Sequence, residues 1–259
     1  MGLTVLVVLV LLSLQTTLGS FLSHGILLIS REKASSTVYR SEPVVFYDEF
    51  GDIPQIKNTY AAIARGTSIV AVSSLNHTVL AFLWPNASSL QIPMGAFPFH
   101  SLGSPQQFML VTGLAGDCRK VLGYAKAVAL NMTVEYGCAP RGKLIAERVG
   151  MFLQEATGGG SRPLACHVLI ADGLHSELFD VDIAGNVKQV WASAAGAGGT
   201  AGYRHLQEFW TSADIPLSPL EALTRETLDA MLRDTSKKSS EDDRKLEVRL
   251  HVVNHRAAE

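Results

Sequence analysis

The amino-acid sequence predicts an α+β protein of four layers, an αββα sandwich of two antiparallel sheets packed face to face with a helix pair outside each. Two patterns carry this expectation. Strand-like runs come in groups joined by short turns, and helix-like runs come in consecutive pairs. A third fact bounds the number of cores: 259 residues, 47% of them hydrophobic, allow one large domain or two small ones, and one suffices for this order of elements.

The elements follow in order. "DIPQIKNTYAAIAR" places Ile56, Tyr60 and Ile63 at i, i+4 and i+7, the spacing of a short amphipathic helix. "TSIVAVSS" and "TVLAFLW" are β-branched runs separated by "LNH", which reads as a tight hairpin. A weaker strand signal in "QIPMGAFPFH" is broken by proline and glycine, and "QQFMLVTG" is a further buried strand. "AGDCRKVLGYAKAVALNM" gathers Val121, Leu122, Ala125, Val128 and Ala129 on one helical face, with Asp117 in the first turn where the helix dipole favours it. "PRGKLIAERVGMFLQEAT" opens with Pro140, stacks Leu144, Ile145, Val149 and Phe152, and ends at "GGGSRP". Three strands are then expected, "LACHVLIAD", "ELFDVDI" and "VKQVWASA", the last two joined by the turn "IAGN". Helices are predicted from about Gly202 to Trp210 and from Leu217 to Leu232, then a solvated charged loop, "DTSKKSSEDDRK", and a last strand, "LEVRLHVV".

Composition removes several classes of function. A net charge of −2 without a basic cluster argues against nucleic acid and anionic membrane surfaces as partners. Cys118, Cys138 and Cys166 form no CxxC and have no histidine at metal-ligand spacing, so they read as buried apolar thiols; pairing of Cys118 with Cys138 stays open. His100, His167, His175 and His205 are scattered and read as structural or exposed. No metal and no cofactor is expected.

The N-terminus carries its own expectation. "LTVLVVLVLLSL", Leu3 to Leu14, is an apolar run followed by small residues at Thr17 and Gly19, the layout of a signal peptide, although the segment before it lacks a positive charge. An uncleaved anchor is the alternative, and is the one route to a membrane. Asn76, Asn86 and Asn131 each begin an N-x-S/T sequon, where chance would give about one. The expected address is therefore the secretory pathway, in the endoplasmic reticulum lumen or secreted, with glycan candidates at those three asparagines; the alternative is the cytoplasm and nucleus. The domain plan is a signal-like segment at 1–19, a linker at 20–45, one folded domain at 46–253 and a tail at 254–259.

Four words, in this order, resemble proteasome subunits of the α type: "QIKNTYAAIARGTSIVAV", "VTGLAGDCRKVLGYAKAVALNMTVEY", "FLQEATGGGSRPLACHVLIADG" with its Arg162-Pro163 pair, and "LFDVDIAGNVKQVWASAAGAGG". The resemblance runs from about Tyr47 to Val253 and implies the fold of N-terminal nucleophile hydrolases. It departs from the family near "YDEF", where the word that should follow is missing and the chain is shorter than the pattern, which places ring membership in question.

The resemblance also makes Thr67, after Gly66, the weak candidate for a catalytic residue. In the catalytic β type a threonine freed at this point attacks with its own amine as base, helped by a lysine and an aspartate. Here the aspartate position falls on Leu83 or Trp84, the lysine position falls in lysine-free "GAFPFH", and alanine stands in "AAGAGG" where the family enzymes keep a serine. "RDTS", Arg233 to Ser236, imitates a β-type catalytic loop and reads as coincidence. The expectation is a non-catalytic proteasome α-type-like subunit or paralogue with a structural or partner-binding role, its partners being proteins such as proteasome-type subunits. The alternative is a threonine hydrolase using Thr67 after cleavage at Gly66.

Overall fold

A computed structural model describes residues 47, 49–85, 98–158, 162–238 and 246–255. Helix α1, Pro54–Ile63, precedes the hairpin of β1, Ile69–Ser73, and β2, His77–Pro85. Strands β3, Phe99–Ser101, and β4, Gln107–Gly113, lead to the long helices α2, Ala115–Tyr136, and α3, Gly142–Gly158. Four strands follow: β5, Cys166–Asp172; β6, Glu177–Val181; β7, Val187–Gln189; and β8, Ala192–Ala195. Helices α4, Gly199–Phe209, and α5, Leu217–Lys238, precede β9, Leu246–Asn254.

All strand pairs are antiparallel and sort into two sheets, β8-β1-β2-β9 and β3-β4-β5-β6-β7. The continuous apolar run of β1 shows why. Ile69 and Ala71 face the second sheet, packing with Leu80, Phe82, Leu110, Leu169 and Leu178. Val70 and Val72 face the other way, onto Leu206, Leu220, Leu228 and Met231 of α4 and α5. A strand covered on both faces needs apolar side chains at both parities. The second sheet repeats the arrangement: Met109, Val111, Val168, Ile170 and Phe179 bury against Val121, Ala125, Ile145, Val149 and Leu153 of α2 and α3. Four layers result, as the patterning predicts.

Several details differ from the sequence reading. "VKQVWASA" is two strands: Val190 donates its amide to Leu178 O (2.9 Å) in the second sheet, while Trp191 O accepts from the Ser73 amide (2.6 Å) in the first. Helix α4 starts at Gly199, three residues before Gly202. α5 runs to Lys238, so the first part of the expected charged loop is helical. Of "QIPMGAFPFH" only Pro98, Phe99 and His100 are described, and the expectations for residues 1–46 and Asn86 fall outside the described residues. Cys118 and Cys166 are buried as expected, but Cys138 is exposed, because it lies just past Gly137, which ends α2 in a left-handed turn. The three thiols are free.

Two buried carboxylates fasten the helices to the second sheet. Asp172 accepts the Gly142 amide at the start of α3 (2.6 Å), Gln107 Nε2 (3.2 Å) and the Leu174 amide (3.0 Å), with His175 Nδ1 at 2.9 Å. Asp117 does more than complement the dipole of α2. It accepts Arg162 Nη1 (2.6 Å) and Nη2 (2.7 Å) as a bidentate pair, and the Ala165 amide (2.9 Å).

Candidate functional site

Thr67 is half-buried and lies two residues before β1, not within it. The chain reaches it from α1, which Pro54 begins at a position where its missing N–H costs nothing. Ile63 of that helix is buried with Ala165 and Ile183, and Ile56 and Ala62 pack on the same group. The amides of Arg65 and Gly66 then bond Ala62 O (3.1 Å) and Ile63 O (2.8 Å), turning the chain out of the helix.

From there the backbone is held on several sides. Gly66 O accepts the Ala197 amide (3.0 Å), Ser68 Oγ donates to Ala197 O (2.7 Å), and Ser68 O accepts the Leu83 amide (3.0 Å). Thr67 O accepts Thr112 Oγ1 (2.5 Å). Two glycines make room. A Cβ at Gly66 would stand 2.6 Å from Gly113 N and from Thr112 Oγ1, and one at Gly196, whose φ is +89°, would collide with Thr67 O.

Behind Thr112 the space between the sheets holds polar side chains. His167 pairs with Thr112 across β4 and β5. His167 Nε2 lies 2.8 Å from Asp180 Oδ1. Ser193 Oγ donates to Asp180 Oδ2 (2.5 Å). Burial pushes the Asp180 carboxyl up, but the contacts from His167 and Ser193 and the charge of Lys188 outweigh it and hold the group below the usual carboxylate range. Tyr60 on α1 is shifted the other way, up, by burial first and then by the charges of Asp182 and Asp180.

This constellation contains serine, histidine and aspartate in the wrong order for nucleophilic catalysis. An activated hydroxyl needs a base that takes its proton, with a third group orienting the base. Here the aspartate is in the centre, shared by both partners, and its lowered affinity for protons makes it a poor base. Leu83, at the aspartate position, is 4% exposed in the core over α4 and α5, and Trp84 is half-buried. The "RDTS" residues lie on α5, where Thr235 and Ser236 both donate to Leu232 O.

The other singled-out residues are dispersed. His175 is on Asp172, His205 Nδ1 is 3.0 Å from Thr227 Oγ1, and His100 is on β3. Asn76 in the β1–β2 turn and Asn131 on α2 are exposed. Among the described residues no three His, Cys, Asp or Glu side chains group so as to hold a metal ion, and no helix is long and apolar enough to cross a membrane. The sequence reading missed the Asp180 cluster, whose members come from β5, β6 and β8 and have no mutual spacing to detect.

Comparison with known proteins bears on this geometry. The proteasome-subunit family model matches residues 63–244. The chain is 29% identical over 167 residues to proteasome subunit alpha type-2 of Saccharomyces cerevisiae, a match covering 62% of this chain and 66% of that one. It is 26% identical over 181 residues to proteasome subunit alpha 2 of Haloferax volcanii, covering 69% and 72% respectively. The aligned part of this chain thus falls just short of two thirds of the yeast protein's length.

These relatives correct the expected address. Proteasome α subunits are proteins of the cytoplasm and, in a yeast, of the nucleus, not of the secretory pathway. A twelve-residue apolar run signals a preference for burial and does not by itself specify a compartment. With a match over most of its length and a two-sheet sandwich in place, the chain belongs to the proteasome-subunit family, as a divergent chain of the α type.

Proposed function

We propose that this chain serves a proteasome-type assembly as a non-catalytic subunit, acting through its surfaces on neighbouring subunits. The observation that carries the reading is the state of Thr67. The chain before it is a packed helix, and the positions that match the lysine and aspartate of the catalytic type hold neither residue. Such a threonine has no means of activation.

The surface argument starts from α2 and α3. Their inner faces are spent on the second sheet, yet Leu130, Val134 and Met151 remain 63%, 77% and 50% exposed. Apolar side chains left in water on two adjacent helices support a role in contacting a neighbour. The experiment has two arms. A β-lactone or epoxyketone probe applied to the native protein should leave Thr67 unmodified, and the intact mass should show no chain beginning at Thr67. Val134→Asp should leave thermal stability within about 0.5 kcal/mol, since the site is exposed, while co-sedimentation with proteasome particles is lost. Labelling of Thr67 would overturn the non-catalytic reading; undiminished co-sedimentation of Val134→Asp would overturn the surface assignment.

A further inference from the structure

The end of β9 is tied to the β1–β2 turn chiefly through one residue. The His255 amide donates to Asn76 O (2.9 Å), and the ring reaches both sides of the turn: Nδ1 lies 2.9 Å from Leu75 O and Nε2 lies 2.8 Å from Thr78 Oγ1. Thr78 Oγ1 in turn lies 2.8 Å from Ser73 Oγ. Ser73 and Thr78 are each 1% exposed, so these hydroxyls must find their partners within the protein.

The chemistry of the partners fixes every proton in this row. A backbone carbonyl only accepts, so Nδ1 carries the proton and donates to Leu75 O. In a neutral ring Nε2 is then an acceptor, which makes Thr78 the donor to it and Ser73 the donor to Thr78. The row runs one way, from Ser73 to Thr78 to His255 to Leu75. A second proton, on Nε2, forces it to reverse. Thr78 must then accept from the ring and donate to Ser73, and the Ser73 hydroxyl is left with Ser74 O at 3.4 Å, beyond the usual range of a hydroxyl bond. The second proton also sets a charge on a half-buried ring. Among the described residues the titratable groups acting on that ring are His77, whose Nδ1 lies 3.1 Å from Asn254 Oδ1, and Asp172. Burial holds the imidazole below its ordinary range; the Leu75 hydrogen bond and the Asp172 charge oppose this, and His77 adds to it.

We propose that His255 is an acid-released latch: a proton on Nε2 breaks the one-way row and frees the end of β9 from the β1–β2 turn while the sandwich stays folded. The release reaches further than one strand end. The Leu75 amide donates to Ala213 O (2.9 Å), which joins the same turn to the connection between α4 and α5. The latched ring binds a proton less readily than the released one. By linkage the latch is complete above the ordinary histidine value, about 6.5, and weakens as pH falls below it. Nothing in the latch depends on Thr67 or on a neighbouring subunit.

The full-length protein is used for the test. Nitrogen NMR of the ring at about pH 7.5 should place the His255 proton on Nδ1, and the ring should titrate below about 6.5. Hydrogen exchange at the His255 amide, corrected for the intrinsic effect of pH, should rise several-fold from about pH 7.5 to about pH 5.5. Its ceiling is about tenfold, because the released ring titrates near 6.5. The Leu169 amide of β5 should stay protected far longer at both pH values. His255→Gln retains His77 and Asp172 but cannot titrate here, so its exchange at position 255 should change by less than about twofold. A proton on Nε2 of the neutral ring would overturn the proposal, and so would a wild-type rise no larger than that of His255→Gln. Exchange of the His255 amide only together with Leu169 would overturn the local release.

Discussion

Replacing Asp117 by alanine tests how the second sheet is fastened to α2. The substitution removes the acceptor for both Arg162 guanidinium bonds and for the Ala165 amide. Arg162 is 56% exposed, so its ion pair is screened and contributes up to about 1 kcal/mol. The Ala165 amide sits in a residue only 4% exposed, and a buried donor left without an acceptor costs about 1–3 kcal/mol. Together they give a loss of roughly 1–4 kcal/mol, or a fall in melting temperature of about 2–16 °C for a domain of this size. Asp117→Asn keeps an oxygen for Ala165 and loses only the charge, so it should cost about 1 kcal/mol.

The pH dependence separates the charge from the shape. Burial pushes the Asp117 carboxyl up, but the Arg162 and Ala165 hydrogen bonds and the charges of Arg162 and Lys120 more than offset this and hold it low. A lowered folded-state value means stability that is present above the unfolded value, about 3.9, and lost as pH falls through the folded one. The gap between wild type and Asp117→Asn, measured by urea denaturation, should therefore be flat from about pH 5 to 8 and close below about pH 4. An Asp117→Ala protein within about 0.5 kcal/mol of wild type, or a gap to Asp117→Asn that does not narrow in acid, would refute the reasoning.

Two further outcomes follow from the same geometry. Gly196→Ala should destabilise by about 2–4 kcal/mol in a thermal melt, because its Cβ meets Thr67 O and stands 2.9 Å from Thr112 Oγ1 at a φ that disfavours alanine; a melt unchanged from wild type would mean the Thr67 segment is not held as described. A thiol-reactive dye should titrate Cys138 alone in native protein and all three cysteines in urea. Cys118 and Cys166 are fully buried, and the Cys166 thiol is pushed up by its hydrogen bond with Cys118 and by burial, which withholds the reactive thiolate.

How far the sequence revealed this molecule depends on whether the determinant was local. The helices and most strands were legible because burial imposes a period, 3.6 along Val121–Ala125–Ala129 and both parities along Ile69–Val72. The split of "VKQVWASA" was not, since a change of sheet between Val190 and Trp191 alters hydrogen-bond partners without interrupting the apolar pattern. Asp117 was assigned to the dipole from its place in the first turn, whereas its main partner, Arg162, is 45 residues away. The family words located Thr67 and showed that its helpers were missing. They gave no view of Asp180, His167 and Ser193, which meet only through the stacking of two sheets.

The passage from Val190 to Trp191 also decides how the sandwich can open. Adjacent residues of one backbone belong to different sheets, so the covalent chain acts as a seam between layers that side-chain packing and hydrogen bonds such as Ser193 to Asp180 also join. If β7 lifts from β6, tension passes through one peptide unit to β8 and so to the Ser73 amide on β1. A three-residue strand such as β7 would ordinarily fray alone, at little free energy. Stitched in this way, it opens with the strand beyond the seam. The two sheets should then open as one cooperative unit, with hydrogen exchange at the Val190 and Ser73 amides expected to report a single event.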